Sequence, residues 1–156
     1  RYEKVDYIKR VVGLPGETIY YINKQIYIKP NCEDTSPCPS RTAVDLKSLG
    51  YSNVAEHGAA LPMFDETLGD VEHQILRSNS GGGANQYVVP HGHYFVMGDN
   101  RDNSADSRLA QQAGGFGFVP YENLIGRADR IVFSSAGSSM LYFWTWRRDR
   151  FFKGVN

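Results

Sequence analysis

The chain has 156 residues, long enough for one domain or for one domain that carries an insertion. Seventeen basic residues balance 17 acidic residues, so a nucleic acid is excluded as the main partner, because phosphate binding requires a basic excess. No apolar run in the sequence reaches the length of a transmembrane helix.

The first third of the chain reads as strands joined by tight turns. Apolar and polar residues alternate over residues 5–12, which predicts a strand. Residues 13–16 place Pro before Gly, as a type II turn requires. Two short strands at 19–22 and 25–28 are separated by Asn23-Lys24, which predicts a hairpin.

The middle of the chain, residues 30–85, is rich in Pro, Ser, Gly and acidic residues. This composition predicts long loops with short strands, with a loop tip at 78–83. An aromatic content of 13% favours β structure throughout. We expect an all-β fold with a core domain at 1–20 and 87–156 and a smaller β-rich insertion at 21–86. Further strands are predicted at 87–89, 94–97, 118–120 and 124–133, with a loop at 109–117.

The two cysteines, Cys32 and Cys38, lie in a short polar segment between prolines. They are either two free surface thiols or a disulfide. Exposed free thiols are a liability, and closing so short a loop would stabilise the fold by about 2 kcal/mol. We therefore favour the disulfide and, with it, an oxidising compartment.

Residues 98–108, Gly-Asp-Asn-Arg-Asp-Asn-Ser-Ala-Asp-Ser-Arg, form a polar loop directly after an apolar run. Such a segment can be ordered only by charge-assisted hydrogen bonds, and loops of this kind commonly carry functional groups. A calcium loop is the alternative, but counting from Asp99 places Arg101 at the third ligand position, which repels a cation. We reject the calcium site. The four histidines show no metal-ligand spacing, and a Ser-His-Asp triad stays open although nothing places a histidine beside a nucleophile elbow.

Lys9 would lie on one strand face with Val5, Tyr7 and Val11. The common interpretation of such a lysine is an edge-strand charge or an aliphatic stem that keeps its ammonium in water. In a desolvated position, a lysine amine loses its proton more easily and can act as a general base near neutral pH. That base would need a hydroxyl nucleophile and an orienting group, which the polar loop could supply.

Residues 7–17, Tyr-Ile-Lys-Arg-Val-Val-Gly-Leu-Pro-Gly-Glu, and residues 97–108 together resemble two motifs of bacterial type I signal peptidase. Residues 118–120 and 124–128 are similar to the segment that follows in that family. The close match covers roughly 2–30 and 87–133, and a short-loop cysteine pair in the insertion also resembles Gram-negative members. The resemblance implies a membrane-anchored serine endopeptidase with a Ser–Lys dyad.

The resemblance assigns roles residue by residue. Lys9 would be the general base, and Ser104 would be the second serine, whose hydroxyl orients the lysine. Gly98 would allow close packing at that site. Asp6, Tyr7 and Ile8 would lie on the strand that pairs with the extended signal-peptide segment. The residues that would fix the loop by ion pairs are Arg10, Asp99, Asp106 and Arg108.

The family's nucleophile lies in a Ser-x-Ser-Met-x-Pro motif upstream of the lysine, and the 156 residues do not contain it. Ser139-Met140 lacks the following Pro, and we interpret it as coincidence. We expect a fragment without anchor and nucleophile that is inactive alone. The resemblance implies a secretory preprotein as partner at the periplasmic face of the bacterial inner membrane, with no cofactor and no metal.

Two rival functions are a non-catalytic peptide-binding module and a peptidase for conjugation or pilus assembly. The aromatic and basic tail, residues 141–152, either packs on the core or contacts the membrane interface, and packing is favoured.

Overall fold

The computed structural model describes residues 6–33, 36–56, 59–132, 134 and 151–155. The chain divides into two compact units, residues 1–124 and 125–156. Regular structure in the described part is almost entirely β, with two three-residue 3₁₀ helices at Gln111–Ala113 and Tyr121–Asn123. The prediction of an all-β fold is confirmed.

The strands of the described residues form antiparallel sheets. In chain order they are β1 (Arg10–Gly13), β2 (Thr18–Ile22), β3 (Gln25–Lys29), β4 (Thr42–Ala43), β5 (Asp45–Glu56), β6 (Ala59–Leu68), β7 (Val71–Leu76), β8 (Ala84–Val88), β9 (His93–Met97), β10 (Val119–Pro120), β11 (Arg130–Ile131) and β12 (Lys153–Gly154). The sheet orders are β1-β9-β10, β4-β3-β2-β8 and β5-β6-β7 in the first unit, and β11-β12 in the second.

The predicted turn and hairpin are confirmed. Glu17 donates its backbone N–H to the carbonyl of Leu14 at 3.1 Å, and Gly16 has a φ of 83°, as the third residue of a type II turn requires. Asn23 and Lys24 both have positive φ, 48° and 64°, which is the geometry of a type I′ hairpin turn. The local turn chemistry therefore fixes the register of β2 against β3.

The strand predicted at 5–12 is shorter in the structure. β1 begins at Arg10, which pairs with Met97 at the end of β9. Residues 6–9 are outside any strand, because their partner strand stops at Met97 and the chain then enters the polar loop. Val5 lies outside the described residues.

The prediction of long loops and short strands over 30–85 is wrong for its second half. β5, β6 and β7 form a meander whose first two strands have 12 and 10 residues. Two polar residues, Glu66 and His73, are buried on this sheet at 2% and 6% exposure. Their presence on the buried face breaks the apolar–polar alternation by which a half-buried strand is usually found.

The strand predicted at 124–133 is also largely wrong. Only Arg130–Ile131 is in a strand among the described residues of that range, and it pairs with β12. Leu124 and Ile125 are 43% and 81% exposed, so the apolar pattern here does not mark a buried face.

The core of the first unit is an apolar cluster between β1, β2, β3, β8 and β9. Phe95 and Met97 of β9 are completely buried, and the Phe95 ring lies 4.8 Å from that of Tyr87. The polar loop follows Met97 directly, so it starts from one of the most firmly packed points of the chain. The buried members of the cluster are Val12, Ile19, Tyr21, Ile26, Val44, Val89, Phe95 and Met97.

Three other predictions have different outcomes. Cys32 and Cys38 form the predicted disulfide, with Cα atoms 5.3 Å apart. The domain division with an insertion at 21–86 stays a prediction. Ser139-Met140 and the tail at 141–150 lie outside the described residues. The described residues contain no helix that is long and apolar enough to cross a membrane.

Candidate active site

Lys9 and Ser104 are brought together although 95 residues separate them. The Lys9 Nζ donates a hydrogen bond of 2.7 Å to the Ser104 Oγ, and both residues are partly buried. Lys9 directly precedes β1, and Ser104 lies in the middle of the polar loop. The amine is therefore held by a hydroxyl that arrives from a distant part of the chain.

Gly98 lies against this pair. A Cβ at this position would be 2.2 Å from the Ser104 Oγ and 3.4 Å from the Lys9 Nζ. Contacts below about 3 Å do not occur between such atoms, so any side chain here would displace the serine. The close approach requires glycine for lack of space, without any positive φ.

The start of the polar loop is tied to β1 by an ion pair. Arg10 donates from Nε and Nη2 to the two carboxylate oxygens of Asp99, at 2.9 and 3.0 Å. The Asp99 side chain is 46% exposed, and solvent-screened pairs contribute only about 0–1 kcal/mol to stability. Because Arg10 directly follows Lys9, the pair matters more for orientation than for stability.

The end of the loop is held by a buried carboxylate. Asp106 is completely buried, and it accepts hydrogen bonds from the Gly98 backbone N–H at 3.0 Å and from the Arg108 Nη2 at 2.7 Å. Burial raises the pKa of Asp106, but the hydrogen bonds from Arg108 and Gly98 outweigh it and hold that pKa below the usual value. Asp106 is therefore an anion that joins the two ends of the loop.

Sequence reasoning missed Ser107. Its Oγ accepts the Val96 N–H at 2.9 Å, and its own N–H donates to the Val96 carbonyl at 3.0 Å. The loop therefore returns alongside β9 although it forms no strand. The signal was weak, because a serine in a polar run gives no indication of burial.

The apolar surroundings of Lys9 differ from the prediction. Tyr7 and Val11, expected on a buried face, are 61% and 40% exposed. Phe116, from the loop after the polar loop, covers the lysine instead: its ring centroid lies 5.7 Å from Nζ and 4.8 Å from the Tyr7 ring centroid. No periodicity in the sequence links Phe116 to Lys9.

The predicted substrate-binding residues precede β1. Asp6, Tyr7 and Ile8 are exposed and lie outside any strand in the described part of the chain, and Ile8 is 83% exposed. They precede Lys9 and β1 in the chain, and no strand pairs with them in the described part of the molecule.

Two further tethers of the polar loop were not predicted. The Lys24 Nζ donates to Asp102 Oδ1 at 2.8 Å, so the hairpin turn contacts the loop. The Arg101 guanidinium binds Glu66 of β6 inside the protein. Both connect residues that are far apart in sequence. No group of three potential metal-binding side chains occurs among the described residues.

The chain is similar in sequence to proteins of one known family. The family model described as "Signal peptidase, peptidase S26" matches residues 1–133. Signal peptidase I of Buchnera aphidicola subsp. Acyrthosiphon pisum is 32% identical over 161 residues, which cover 83% of this chain and 49% of that protein. Signal peptidase I of Pseudomonas fluorescens is 39% identical over 138 residues, which cover 83% of this chain and 44% of that protein. The chain spans about half the length of the curated relatives it matches.

A crystal structure of a signal peptidase I from Enterococcus faecalis V583 overlaps with a TM-score of 0.37 at 26% identity, over 76% of this chain and 78% of that one. This overlap is too loose to support an argument about the fold. The family model, which covers most of the sequence, is sufficient for the assignment. The chain belongs to the signal peptidase family, peptidase S26.

Proposed function

We propose that these residues are the base-carrying part of a signal peptidase I, a membrane-bound serine endopeptidase that removes signal peptides from secreted preproteins. The observation that carries the proposal is the 2.7 Å hydrogen bond from the Lys9 Nζ to the Ser104 Oγ. It provides an amine in fixed orientation next to the exposed residues 6–8. Lys9 is proposed as the catalytic base, with Ser104 as the residue that orients it.

The chemistry follows from the orientation of the amine. One N–H of Lys9 is engaged by Ser104, which fixes the orientation of the amine from one side, and in the proposed reaction the nitrogen would face the nucleophile with its lone pair. Lys9 would take the proton of a serine hydroxyl while the serine oxygen attacks the scissile carbonyl carbon. It would then give that proton to the leaving nitrogen. Water would hydrolyse the resulting ester by the same two transfers.

The nucleophile would come from a serine that is not among the 156 residues. The family's Ser-x-Ser-Met-x-Pro motif is absent from this sequence. The proposal therefore assigns base and orienting serine to this chain and the attacking hydroxyl to a segment that precedes it in the whole enzyme.

An extended substrate would bind along residues 6–8. Asp6, Tyr7 and Ile8 are exposed, directly precede β1 in the chain and pair with no strand in the described part of the chain, which leaves them accessible for strand addition. A preprotein segment paired here would place its scissile bond next to Lys9. The ring of Phe116, in contact with Tyr7, would line the same place.

The disulfide supports a location at the periplasmic face of the bacterial inner membrane. Disulfides persist in oxidising compartments such as the periplasm and are rare in the cytosol. The Cys32–Cys38 bridge is consistent with that setting. The rival functions are not favoured, because the similar curated proteins are described as signal peptidase I.

The test is the Lys9→Ala variant of the full-length enzyme, assayed on a purified preprotein. We expect kcat to fall by about 10³-fold or more, because the residual rate without a base depends on binding and polar contacts alone. Lys47→Ala is the matched control, since Lys47 is an exposed lysine of β5. Wild-type kcat in the Lys9 variant would refute the base assignment.

A further inference from the structure

The most deeply buried ion pair of the described residues joins the polar loop to the β5-β6-β7 sheet. Arg101, in the loop, is 1% exposed, and Glu66, on β6, is 2% exposed. The Arg101 Nη1 donates to Glu66 Oε1 at 2.8 Å, and Nη2 donates to Glu66 Oε2. His73 of β7 lies on the same carboxylate, with its Nε2 at 3.2 Å from Glu66 Oε2. The proposed function uses none of these three side chains.

Backbone hydrogen bonds fix the same junction. Leu76, the last residue of β7, donates its N–H to the Asp99 carbonyl at 2.9 Å and accepts the Arg101 N–H at 2.8 Å. Leu76 and Asn100 thus form a short parallel bridge. The first half of the polar loop therefore extends the sheet at the end of β7. The ion pair of Glu66 with Arg101 holds it there.

A continuous set of contacts leads from Arg101 to the catalytic pair. The Arg101 carbonyl accepts a hydrogen bond from the Arg108 Nη2, and the same guanidinium binds Asp106. Asp106 accepts the Gly98 N–H, and Gly98 lies against Ser104. Ser104 itself is only three residues after Arg101. A shift of Arg101 would therefore be transmitted to Ser104 in two ways, through the side-chain contacts of Arg108 and Asp106 and along the backbone of residues 101–104.

Glu66 is an anion in this position. Burial raises the pKa of Glu66, but the contacts with His73 and Arg101 outweigh it and hold that pKa below its usual value. A buried guanidinium that loses its carboxylate is left as an uncompensated charge, which the protein can relieve only by moving the arginine toward water.

We propose that Glu66 is a positioning residue of the peptidase reaction, which acts through Arg101 to hold Ser104 against Lys9. This inference rests on the proposed function. It assigns the β5-β6-β7 sheet a part in catalysis, although none of its residues contacts Lys9 in the described structure. Glu66 would act on the orientation of Ser104 and Lys9, so we expect its effect mainly in the chemical step.

The test is Glu66→Gln in the full-length enzyme, which keeps the shape of the side chain and removes its charge. We expect kcat to fall about tenfold or more with KM within about twofold, because small misplacements of catalytic groups are costly in rate. The control is Asp65→Asn, which removes one negative charge from the neighbouring position of β6, where the side chain points to the other face. We expect it to keep wild-type kcat and KM.

A second variant separates positioning from folding. Glu66→Leu combined with Arg101→Met removes both charges together, so that no charge is left buried alone. A retained melting temperature with a kcat loss similar to that of Glu66→Gln supports the inference. Wild-type kcat in the double variant overturns it, and so does an equal loss in Asp65→Asn.

The outcome is distinguishable from failure of the proposed function. If Lys9→Ala abolishes cleavage while Glu66→Gln leaves kcat unchanged, the proposed function stands and the role of Glu66 is refuted. Amide hydrogen exchange in the polar loop is a further measurement. If Glu66 only stabilised the sheet, its loss would not change the exchange rate at Gly98. In Glu66→Gln we expect faster exchange at Gly98, whose N–H binds Asp106, in addition to Leu76 and Arg101.

Discussion

The proposed catalytic pair, Lys9 and Ser104, depends on one position without a side chain. Gly98 allows Ser104 to approach Lys9, and the space that a Cβ would need is already occupied by the serine. Sequence reasoning identified all three residues through their resemblance to a known motif. It could not have derived the contact itself, because 95 residues separate the lysine from the serine.

Gly98→Ala should separate the pair while leaving the fold intact. The added methyl would be 2.2 Å from the Ser104 Oγ, so the serine must move away from the amine. We expect kcat of the full-length enzyme to fall by about 10²-fold, in line with the cost of a displacement of about 1 Å. Steady-state kinetics and a thermal unfolding curve measure the two effects separately.

Gly83→Ala is the control for that substitution, since a Cβ there meets no atom within 4 Å. A Gly98→Ala enzyme with wild-type kcat would mean that Ser104 does not need its present position.

At the scale of elements, the polar loop at 98–108 is ordered without a large apolar side chain of its own. It is ordered by Arg10 on Asp99, Arg108 on Asp106 and Glu66 on Arg101. The sequence predicted ordering by charge-assisted hydrogen bonds, and the resemblance named the residues of the first and last pairs without saying which residues pair. The partner of Arg101 was not, because nothing local marks Glu66 as a residue whose charge is buried.

The loop should detach in acid. The folded-state pKa values of Asp106 and Glu66 lie below their usual values, so their stabilisation is complete above about pH 4 and is lost as the pH falls through the folded-state values. We expect the melting temperature of the chain to fall steeply below about pH 4. In Asp106→Asn we expect a lower melting temperature at neutral pH and a shallower fall in acid. Equal acid slopes for the two proteins would contradict a role of Asp106 in this loss.

The elements that sequence reasoning located best are those with local causes. Pro15-Gly16 and Asn23-Lys24 set turn geometry by their own backbone preferences, and both turns are present. The length of β1 depends instead on where β9 ends. In the meander β5-β6-β7, Glu66 and His73 are buried, so the apolar–polar alternation does not reveal these strands. The burial of Glu66 is explained only by its partner Arg101, which is distant in sequence.

For the whole molecule, the proposed reaction requires a serine from outside the 156 residues. In that proposal these residues would supply the base, its orienting serine and the substrate-binding segment at 6–8, but none of the described residues provides a second hydroxyl in hydrogen-bond contact with Lys9. This division is a prediction that rests on the sequence order of the family motifs.

A polypeptide of these 156 residues should therefore fold without cleaving a preprotein. In the proposed mechanism the isolated chain would lack the nucleophile and the oxyanion-hole donor attached to it, and removing one such donor costs about 10²–10³-fold in rate. Circular dichroism should report β structure, and gel assays should show intact preprotein after long incubation. Cleavage that disappears in Lys9→Ala of the isolated chain would prove this expectation wrong.

The junction at Leu76 and Glu66 has a consequence for protein engineering. A chimeric enzyme that exchanges residues 45–76 for an unrelated hairpin would keep the lysine, the serine and the glycine, yet it would remove the anion beneath Arg101 and the backbone partner of Asp99. Such a graft would need an acid at the equivalent of position 66 and a strand end that faces the loop. Excision of the sheet would instead expose the Arg101 guanidinium to water, and Arg101 would no longer tie the polar loop to a fixed partner.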